Sequence, residues 1–332
     1  MDLHRLWRLF GLASLLTICC SSIEAAPNPS RESGSSGKNV PLRWQPGDDS
    51  IALCRGGQVL WRFNYATNDS KPSFHPLAPS GGPELTTYRP ADHRWHRGLW
   101  FSWKYINKVN YWEEDAKTGI AAGRTRWRPP VIQRNPDFSS RIEMDLEYAS
   151  QNGNAVLTEH RVIQTSAPDS DGGFHLDWNQ VFTASDSDVL LDRTPLPNEP
   201  EGKAYGGYAG LSVRMLNEAS DVVVSTTGGP AVFNPEHRFR GNSKAVDYSF
   251  VSDGLTAGLA IFDHNGNLNS PSPWYVINDA RFHFFTPAVI CFGPHKLKAG
   301  EKLALRYRVA VHPGRWTPER LKQDSQKFNK ED

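Results

Sequence analysis

The residues best suited to chemistry lie together in one stretch, His75–Trp103. Within it, residues 92–98 read Asp-His-Arg-Trp-His-Arg-Gly and bring two histidines, two arginines and an aspartate into one short turn. Burying an unpaired charge costs several kcal/mol or more, so such a cluster occupies either a wet surface or a polar cleft. The apolar run Leu99–Trp103 that follows favours the cleft, because a run of this kind enters a sheet.

Acid–base catalysis is the chemistry that this turn supports with the fewest additional groups. Histidine titrates near neutrality, and burial tunes a carboxylate. We therefore predict that His93 and His96 are acid–base or oxygen-polarising groups and that Asp92 orients one imidazole. Arg97 would then bind hydroxyls or a carboxylate of the substrate.

Aromatic residues supply the second half of the predicted site. The chain has 11 tryptophans, and most of them are expected to pack in the core or at its rim. Tryptophan and tyrosine also stack on the apolar faces of sugar rings. We predict this role for Trp100 and for Trp274.

Further candidates lie farther along the chain. Alternation along residues 156–165 puts Glu159 and His160 on opposite faces of a strand, and both are secondary catalytic candidates, although an ordinary solvated face explains them equally. The glycine-rich segment 205–210 follows a proline-rich loop, and Tyr208 within it is predicted to line a pocket. His264 is either a ligand-binding residue or part of a tight Asn-Gly hairpin turn.

Other reaction classes have weaker support. The sequence has no G-x-S-x-G nucleophile elbow and no His-Glu-x-x-His motif. No cofactor is predicted. A divalent metal held by His93, His96 and a third ligand remains an alternative interpretation.

Charge and length narrow the class of partner. The 332 residues contain 37 Lys and Arg against 36 Asp and Glu, and phosphate binding needs a basic face, so nucleic acid is not the predicted partner. The predicted partner is a carbohydrate. The length is ample for one large core.

The chain divides into four predicted segments. Residues 1–26 read as an export signal with a positive start and a short apolar stretch, and 27–39 as a disordered Ser/Gly/Pro linker. A periplasmic or extracellular protein is expected, and a lipoprotein modified at Cys19 is the alternative. Residues 40–316 form the body and 317–332 a helix and tail. No later stretch is apolar and long enough to predict a transmembrane segment.

The body has the period of β-strands. Residues 141–148 and 302–311 alternate polar and apolar side chains, as half-buried antiparallel strands do. Thr317, Pro318 and Glu319 are typical of a helix N-terminus. We predict an all-β fold, a large antiparallel β-sandwich with a short C-terminal helix, for which the galactose-mutarotase-like supersandwich is the analogous arrangement.

Two cysteines lie in the body. Cys54 and Cys291 form either a disulfide in an oxidising compartment or two buried free thiols, and the sequence leaves both open.

Several of these segments resemble a bacterial family labelled PmoA-like, or methane oxygenase-like (DUF6807). The resemblance covers about residues 41–312 and rests on strings at the following positions: 75–77, 90–101, 109–113, 206–214, 246–249, 258–264 and 273–274. The string Asp-His-x-x-His-Arg-Gly-Leu-Trp is its most specific part. One departure is Tyr275, which stands after Trp274 where the family often has histidine.

The resemblance implies a secreted carbohydrate-active protein. Within its motifs we predict His75, Tyr208, Arg214 and His264 as substrate-binding residues. The leading hypothesis is an enzyme that uses histidine and carboxylate acid–base chemistry on a saccharide, as a hydrolase, lyase or epimerase. A non-catalytic glycan-binding module is one alternative. The family label implies a metal-dependent oxygenase or oxidase as the other. The saccharide, the reaction and the oligomeric state stay open.

Overall fold

The computed structural model describes residues 40–150 and 153–331. The predicted export signal, the predicted linker and Cys19 lie outside the described residues. Twenty-three strands and one helix follow in chain order. They are β1 (Leu42–Pro46), β2 (Ser50–Arg55), β3 (Gln58–Asn64), β4 (Ser73–Leu77), β5 (Leu99–Ser102), β6 (Tyr105–Ile106), β7 (Val109–Asn110), β8 (Gly123–Trp127), β9 (Val131–Arg134), β10 (Ser140–Ser150), β11 (Ala155–Thr165), β12 (Phe174–Ala184), β13 (Val189–Asp192), β14 (Gly210–Arg214), β15 (Ser220–Thr226), β16 (Gly229–Pro230), β17 (Arg238–Asn242), β18 (Ala245–Ser252), β19 (Leu255–Asp263), β20 (Pro273–Asp279), β21 (Phe282–Pro287), β22 (His295–Leu297), β23 (Lys302–Pro313) and α1 (Pro318–Phe328).

Two large antiparallel sheets contain most of these strands. The nine-stranded sheet has the order β1-β2-β3-β4-β5-β14-β21-β20-β17, and the ten-stranded sheet the order β16-β15-β18-β19-β23-β12-β11-β10-β8 with β9 beside β10. A third, four-stranded sheet has the order β22-β13-β6-β7, and its Ile106, Leu191 and Leu297 join the same core. The central neighbours of the first sheet, β5, β14 and β21, come from distant parts of the chain, so the sheet assembles through long-range pairing.

The core lies between the two large sheets. Phe74 of the nine-stranded sheet meets Trp178 of the ten-stranded sheet edge to face, with ring centroids 5.9 Å apart. Phe101 and Phe182 also meet across the sheets, with ring centroids 5.2 Å apart. Interleaved side chains from two inner faces are what define a β-sandwich, so the predicted fold class is confirmed.

Strand alternation explains which side chains enter this core. Along β10, Ile142, Met144, Leu146 and Tyr148 are buried while the polar residues between them are not. The strand predicted at residues 302–311 lies within β23. Strand β21 ends at Pro287. Proline lacks the N–H needed to continue a ladder, which fits an end at that residue.

The C-terminal helix begins as its sequence predicts. Thr317 is the N-cap, its side chain accepts a hydrogen bond from the Arg320 backbone N–H, and Pro318 occupies the first turn. The helix buries Leu321 and Phe328, so its apolar face packs on the sandwich.

Both body cysteines are buried free thiols. The Cys54 thiol donates to the Gln45 side-chain oxygen, and burial raises the pKa of Cys291 to about 11. The two cysteines are therefore buried free thiols and do not form a disulfide with each other.

A buried ion pair lies on strand β11, on the inner face of the ten-stranded sheet. Arg161 Nε donates to Glu159 Oε1 at 2.6 Å, and both side chains are fully buried. Gln180 also donates to this carboxylate, Tyr148 donates to its second oxygen, and the Arg161 guanidinium lies 5.1 Å from the Trp178 ring centroid. Glu159 therefore serves the core.

Removing one charge of this pair should be strongly destabilising. In Glu159→Gln the Arg161 guanidinium stays buried without its carboxylate, and we expect a loss of about 3–5 kcal/mol in the free energy of unfolding, measured in urea. Glu143→Gln, at a surface side chain that is 42% exposed, is the control and should cost about 0.5 kcal/mol or less. Equal stability of the Glu159→Gln variant and the wild type would contradict this account of the core.

Candidate functional site

The Asp92–Gly98 turn folds back onto the outer face of the nine-stranded sheet. The His93 N–H donates to the Pro90 carbonyl at 3.1 Å and the His96 N–H to the His93 carbonyl at 2.9 Å, which closes two consecutive turns. Gly98 ends the segment with a φ of +69°, and a Cβ there would overlap the Phe74 carbonyl oxygen. Only glycine combines this backbone conformation with this close approach.

An aromatic cleft of about 330 Å³ opens beside this turn. The side chains around it come from the turn, the 112–113 segment, the loop before β14 and strands β20 and β21. They are His93, Trp95, His96, Trp112, Glu113, Tyr205, Tyr208, Tyr275, Ile277, Phe282 and Phe284. Eight of these eleven are apolar or aromatic, and the other three are the two histidines and a glutamate, which is the composition of a small-molecule site.

His93 ends a chain of three charged or polar groups. Its Nδ1 lies 2.9 Å from Asp92 Oδ2, which also accepts from Arg214 Nη2 at 3.0 Å. Partial burial opposes ionisation of Asp92, yet the hydrogen bond from His93 and the charge of Arg214 hold its pKa below the ordinary value. The ionised Asp92 can only accept, so His93 Nδ1 donates and Nε2 is left as the acceptor.

Arg214 is wholly buried under this arrangement. Its guanidinium lies 3.8 Å from the Phe282 ring centroid and also donates to the Asn217 side-chain oxygen and the Arg281 carbonyl.

Burial lowers the pKa of His93 below its ordinary value, while the hydrogen bond to Asp92 acts in the opposite direction. The imidazole is therefore a neutral base at neutral pH.

His96 is enclosed by rings and is only 3% exposed. Its ring centroid lies 4.8 Å from that of His93, 4.9 Å from that of Trp100 and 5.4 Å from that of Phe284. Its Nδ1 is buried without a hydrogen-bond partner. Burial holds the pKa of His96 well below its usual range, and the positive charge of Arg214 acts in the same direction, so this imidazole is neutral.

Glu113 supplies a carboxylate to the cleft. Tyr208 donates to its Oε1 at 2.6 Å, while Lys104 and Asn110 donate to its Oε2. Burial alone would raise its pKa, but the charge and hydrogen bond of Lys104 and the other donors bring the pKa of Glu113 below the ordinary value. The cleft thus holds an ionised carboxylate whose Oε1 keeps capacity to accept from a ligand hydroxyl.

Arg97 points away from the cleft into a buried polar network. It donates to Asp69 at 2.8 Å and to Glu114 at 2.6 Å. Lys71, also buried, lies 3.9 Å from Glu114, and burial lowers the pKa of Lys71 to about 7. Arg97 therefore holds the turn in place, and the prediction that it binds the substrate is replaced by this positioning role.

The structure brings some predicted site residues together and leaves others elsewhere. His93, His96 and Tyr208 line the cleft, and Asp92 and Arg214 support His93.

Two further predicted residues lie near this group without lining the cleft. Trp100 packs beneath His96, with its ring against the imidazole. His75 contacts Thr86 and Glu84.

The remaining predicted residues lie apart from the cleft. Trp274 is in the core, where its indole N–H donates to the Ser243 carbonyl at 2.8 Å. His264 contacts Phe328 of α1, with ring centroids 5.7 Å apart. His160 is on the ten-stranded sheet, exposed and hydrogen-bonded to Asp145, next to the buried Glu159.

Eight cleft residues had no role in the sequence-based site: Trp95, Trp112, Glu113, Tyr205, Tyr275, Ile277, Phe282 and Phe284. Strand parity was a usable signal for Tyr275, because successive side chains of a strand point to opposite faces. Trp274 faces the core, so its neighbour must face outward. Glu113 had the signal of a carboxylate directly after Trp112 in a motif already singled out.

A metal does not fit the two histidines as they stand. Across residues 40–150 and 153–331, no three His, Cys, Asp or Glu side chains come together as a metal site would require. His93 Nδ1 is also hydrogen-bonded to Asp92.

Within the same described ranges, no helix has the length and apolar character needed to cross a membrane.

Comparisons with known proteins give one sequence family and three distant folds. A family described as a family of unknown function (DUF6807) matches residues 50–326. No curated protein matches the sequence. A galactosidase domain of alpha-galactosidase-sucrose kinase superposes with a TM-score of 0.41 and 9% identity over 82% of this chain, which spans 42% of that one.

Two further solved structures superpose more loosely. An aldose 1-epimerase from Klebsiella pneumoniae subsp. pneumoniae gives a TM-score of 0.38 at 9% identity, covering 87% of each chain. A 4-alpha-glucanotransferase from Thermococcus litoralis gives 0.26 at 10% identity, covering 83% of this chain and 38% of that one. We transfer no activity from these three proteins.

Replacing Gly98 should disturb the site through the backbone. We expect Gly98→Ala to lower the free energy of unfolding by more than about 1 kcal/mol, because its φ and the Phe74 carbonyl both disfavour a Cβ. Gly57→Ala is the matched control, since nothing lies within 4 Å of a Cβ at that position. Equal unfolding midpoints for the two variants would contradict this assignment.

The two neighbours of His93 should move its pKa in opposite directions. Asp92 favours the imidazolium and Arg214 disfavours it, so Asp92→Asn should lower the pKa of His93 further and Arg214→Met should raise it. A titration followed by NMR of the histidine ring protons measures both. Shifts with the opposite signs would show that the hydrogen-bonded chain is not intact in solution.

Proposed function

The chain belongs to the DUF6807 family, whose function is unknown, and we propose that it is a carbohydrate-active enzyme that binds a saccharide in the aromatic cleft and acts on it by acid–base chemistry. The observation that carries this proposal is the Arg214–Asp92–His93 chain, which ends in a basic nitrogen at an aromatic cleft. The resemblance of residues 90–101 to the motifs of this family, which implies a carbohydrate-active protein, supports the same substrate class.

The lining of the cleft supports a saccharide as its ligand. A pyranose has an apolar C–H face that packs on an aromatic ring and hydroxyls that need hydrogen-bond partners. Trp95, Trp112 and Tyr205 offer ring surfaces, while Glu113 offers an acceptor for hydroxyls. Tyrosine and tryptophan combine an apolar ring with a polar end, which suits such an amphipathic ligand.

Three cations beside the His93 and Glu113 walls of the cleft are already paired with carboxylates. Lys104 is paired with Glu113, Arg214 with Asp92, and Arg97 with Asp69 and Glu114. Among these three cations none is left to neutralise a phosphate, which would need such a partner in a partly buried site. A neutral sugar needs none.

His93 has the features of a general base in this proposal. Its Nε2 accepts a proton from the substrate while Asp92 stabilises the imidazolium that forms, and Arg214 keeps Asp92 ionised. Glu113 binds a hydroxyl or serves as a second base. The cleft therefore combines a base that is held in one orientation with a carboxylate that can bind a substrate hydroxyl.

Loss of His93 should therefore abolish most turnover. On a saccharide identified by screening mono- and oligosaccharides for conversion, we expect His93→Ala to lower kcat/KM about a hundredfold or more, since general acid–base catalysis typically contributes about 10²–10⁴-fold. His96→Ala should also lose activity. A loss of less than about tenfold for both variants would reject the proposal.

Companion variants separate the rival functions. Sugar binding that survives His93→Ala but is lost in Trp95→Ala or the exposed Tyr205→Ala, with no turnover at all, would indicate a glycan-binding module. The same substitution at His160 tests the other predicted histidine, and loss there instead would move the site to the ten-stranded sheet. Elemental analysis showing one transition metal per chain, lost on removal of both cleft histidines, would indicate metal chemistry.

We also propose that the protein is exported. The support is the sequence of residues 1–26, with Arg5 and Arg8 before an apolar stretch and Ala25-Ala26 at its exit. N-terminal sequencing of the protein recovered from its native host tests this, and an uncleaved Met1 would reject it.

A further inference from the structure

The two cleft histidines are adjacent, yet their hydrogen-bonding surroundings differ. Their ring centroids lie 4.8 Å apart and the planes are inclined by 29°. His93 has a carboxylate on Nδ1, whereas His96 has nothing on Nδ1. The difference determines where each neutral ring carries its proton.

His93 carries its proton on Nδ1. Asp92 accepts there at 2.9 Å and is itself held ionised by Arg214 at 3.0 Å. A neutral imidazole has one N–H and one lone pair, so Nε2 is an acceptor. His93 lines the cleft, and a ligand meets this lone pair.

His96 carries its proton on the opposite nitrogen. Its Nδ1 is sealed among rings without a partner, and a buried N–H left without an acceptor is rarer and costlier than a lone pair left without a donor. The favoured tautomer therefore leaves the lone pair at Nδ1 and places the proton on Nε2. Unlike Nδ1, Nε2 is not among the sealed, unpartnered atoms, and because His96 lines the cleft, a ligand there meets this N–H.

We infer that the cleft presents a hydrogen-bond acceptor from His93 beside a donor from His96, and that its saccharide carries a carbonyl group at the reacting position. This inference rests on the proposed function and names its substrate class. A donor in an apolar enclosure, with no counter-charge beside it, stabilises best an oxygen on which negative charge develops. A carbonyl oxygen next to a carbon that loses its proton is such an oxygen.

The reaction step balances with these two side chains alone. His96 Nε2–H donates a hydrogen bond to the carbonyl oxygen and keeps its proton. His93 Nε2 takes the proton from the adjacent carbon, the C–H electron pair forms the C=C bond of an enediolate, and the carbonyl π pair moves to oxygen. Return of the proton from His93 to the same carbon restores the substrate with that hydrogen exchanged. Return to the former carbonyl carbon gives the isomer when the hydroxyl proton of the enediolate moves from its oxygen to the former carbonyl oxygen, and neither outcome needs an oxidant or reductant.

His96 acts here as a catalytic residue by polarising the carbonyl, not by transferring a proton. A neutral imidazole polarises the substrate carbonyl in the same way in triosephosphate isomerase. Trp100 and Phe284, which pack on the His96 ring, keep the imidazole in one orientation.

The tautomers can be measured without any substrate. In protein labelled with ¹⁵N-histidine, long-range ¹H–¹⁵N spectra at neutral pH should give the Nδ1–H form for His93 and the Nε2–H form for His96. Asp92→Asn should mix the two forms at His93 and leave His96 unchanged. The same tautomer at both residues, or a proton on His96 Nδ1, would overturn the inference.

The substrate class is tested with dihydroxyacetone, the smallest uncharged ketose, in D₂O. We expect the protein to catalyse deuterium incorporation at the carbons beside the carbonyl, followed by ¹H NMR, and to leave glycerol, the matched alcohol, unlabelled. His93→Asn should abolish the exchange. No exchange above the protein-free rate would overturn the inference.

Two His96 variants separate its donor from its packing. His96→Phe keeps an aromatic ring in the enclosure and should lower the exchange rate about a hundredfold, the scale measured for loss of one donor at an oxyanion site. His96→Gln keeps an N–H and should retain more activity at a similar Tm. Equal losses in both would show that only packing matters.

These outcomes are distinct from failure of the proposed function. If His93-dependent saccharide turnover is found but the tautomers or the exchange are not as expected, the carbonyl inference alone fails. If turnover survives both His93→Ala and His96→Ala, the proposed function fails whatever the tautomers are.

Discussion

The buried charge of Arg97 is the constraint on which the arrangement of the cleft depends. A guanidinium that is 1% exposed must be paired, and its partners Asp69 and Glu114 come from separate segments of the chain. Arg97 follows His96 directly, and Glu114 follows Glu113. Pairing Arg97 with Glu114 therefore fixes the histidine wall of the cleft against its carboxylate wall. The cleft is organised by two residues that do not line it.

The local sequence pattern predicts the strands well because burial on one face imposes a period of two. The same pattern places the Asp-His-x-x-His turn before an apolar strand, and the structure has that strand as β5. What the pattern lacks is the order of strands in the sheet. β5 pairs with β14, and β14 with β21, so Phe282 and Phe284 come to the turn from nearly 190 positions along the chain. The alternation of polar and apolar residues within a strand does not show which distant strand pairs with it.

Residue type alone also misjudges burial. Arg97 and Trp100 read as ligand-binding residues because they stand beside two histidines, but one pairs with buried carboxylates and the other supports His96 from below. Trp274 and Tyr275 are neighbours on β20, and strand parity sends them to opposite faces. The sequence pattern identifies the turn. Which residues surround it depends on the alternation of side chains along each strand and on which strands pair in the sheet.

Three histidine–aspartate pairs show how surroundings determine the use of one interaction. His160 and Asp145 meet on an exposed face, where water competes with both. His312 and Asp247 are fully enclosed, and the Trp316 ring stacks on His312 at 4.0 Å. Only His93 and Asp92, among these three, combine a buried cation behind the carboxylate with a cleft in front of the ring. All three sites have the same histidine–aspartate pair, and they differ in the groups that surround it.

The loop that carries Tyr205 is attached by its backbone. Arg240 donates to the carbonyl oxygens of Ala204 and Gly206 at 2.7 and 2.8 Å, and its guanidinium rests 4.6 Å from the Tyr275 ring centroid. A carbonyl oxygen is present whatever side chain a residue bears. The side chains at positions 203–205 can therefore change without loosening the attachment, so the lining of this wall of the cleft can vary while the fold and the Asp92–Gly98 turn stay the same.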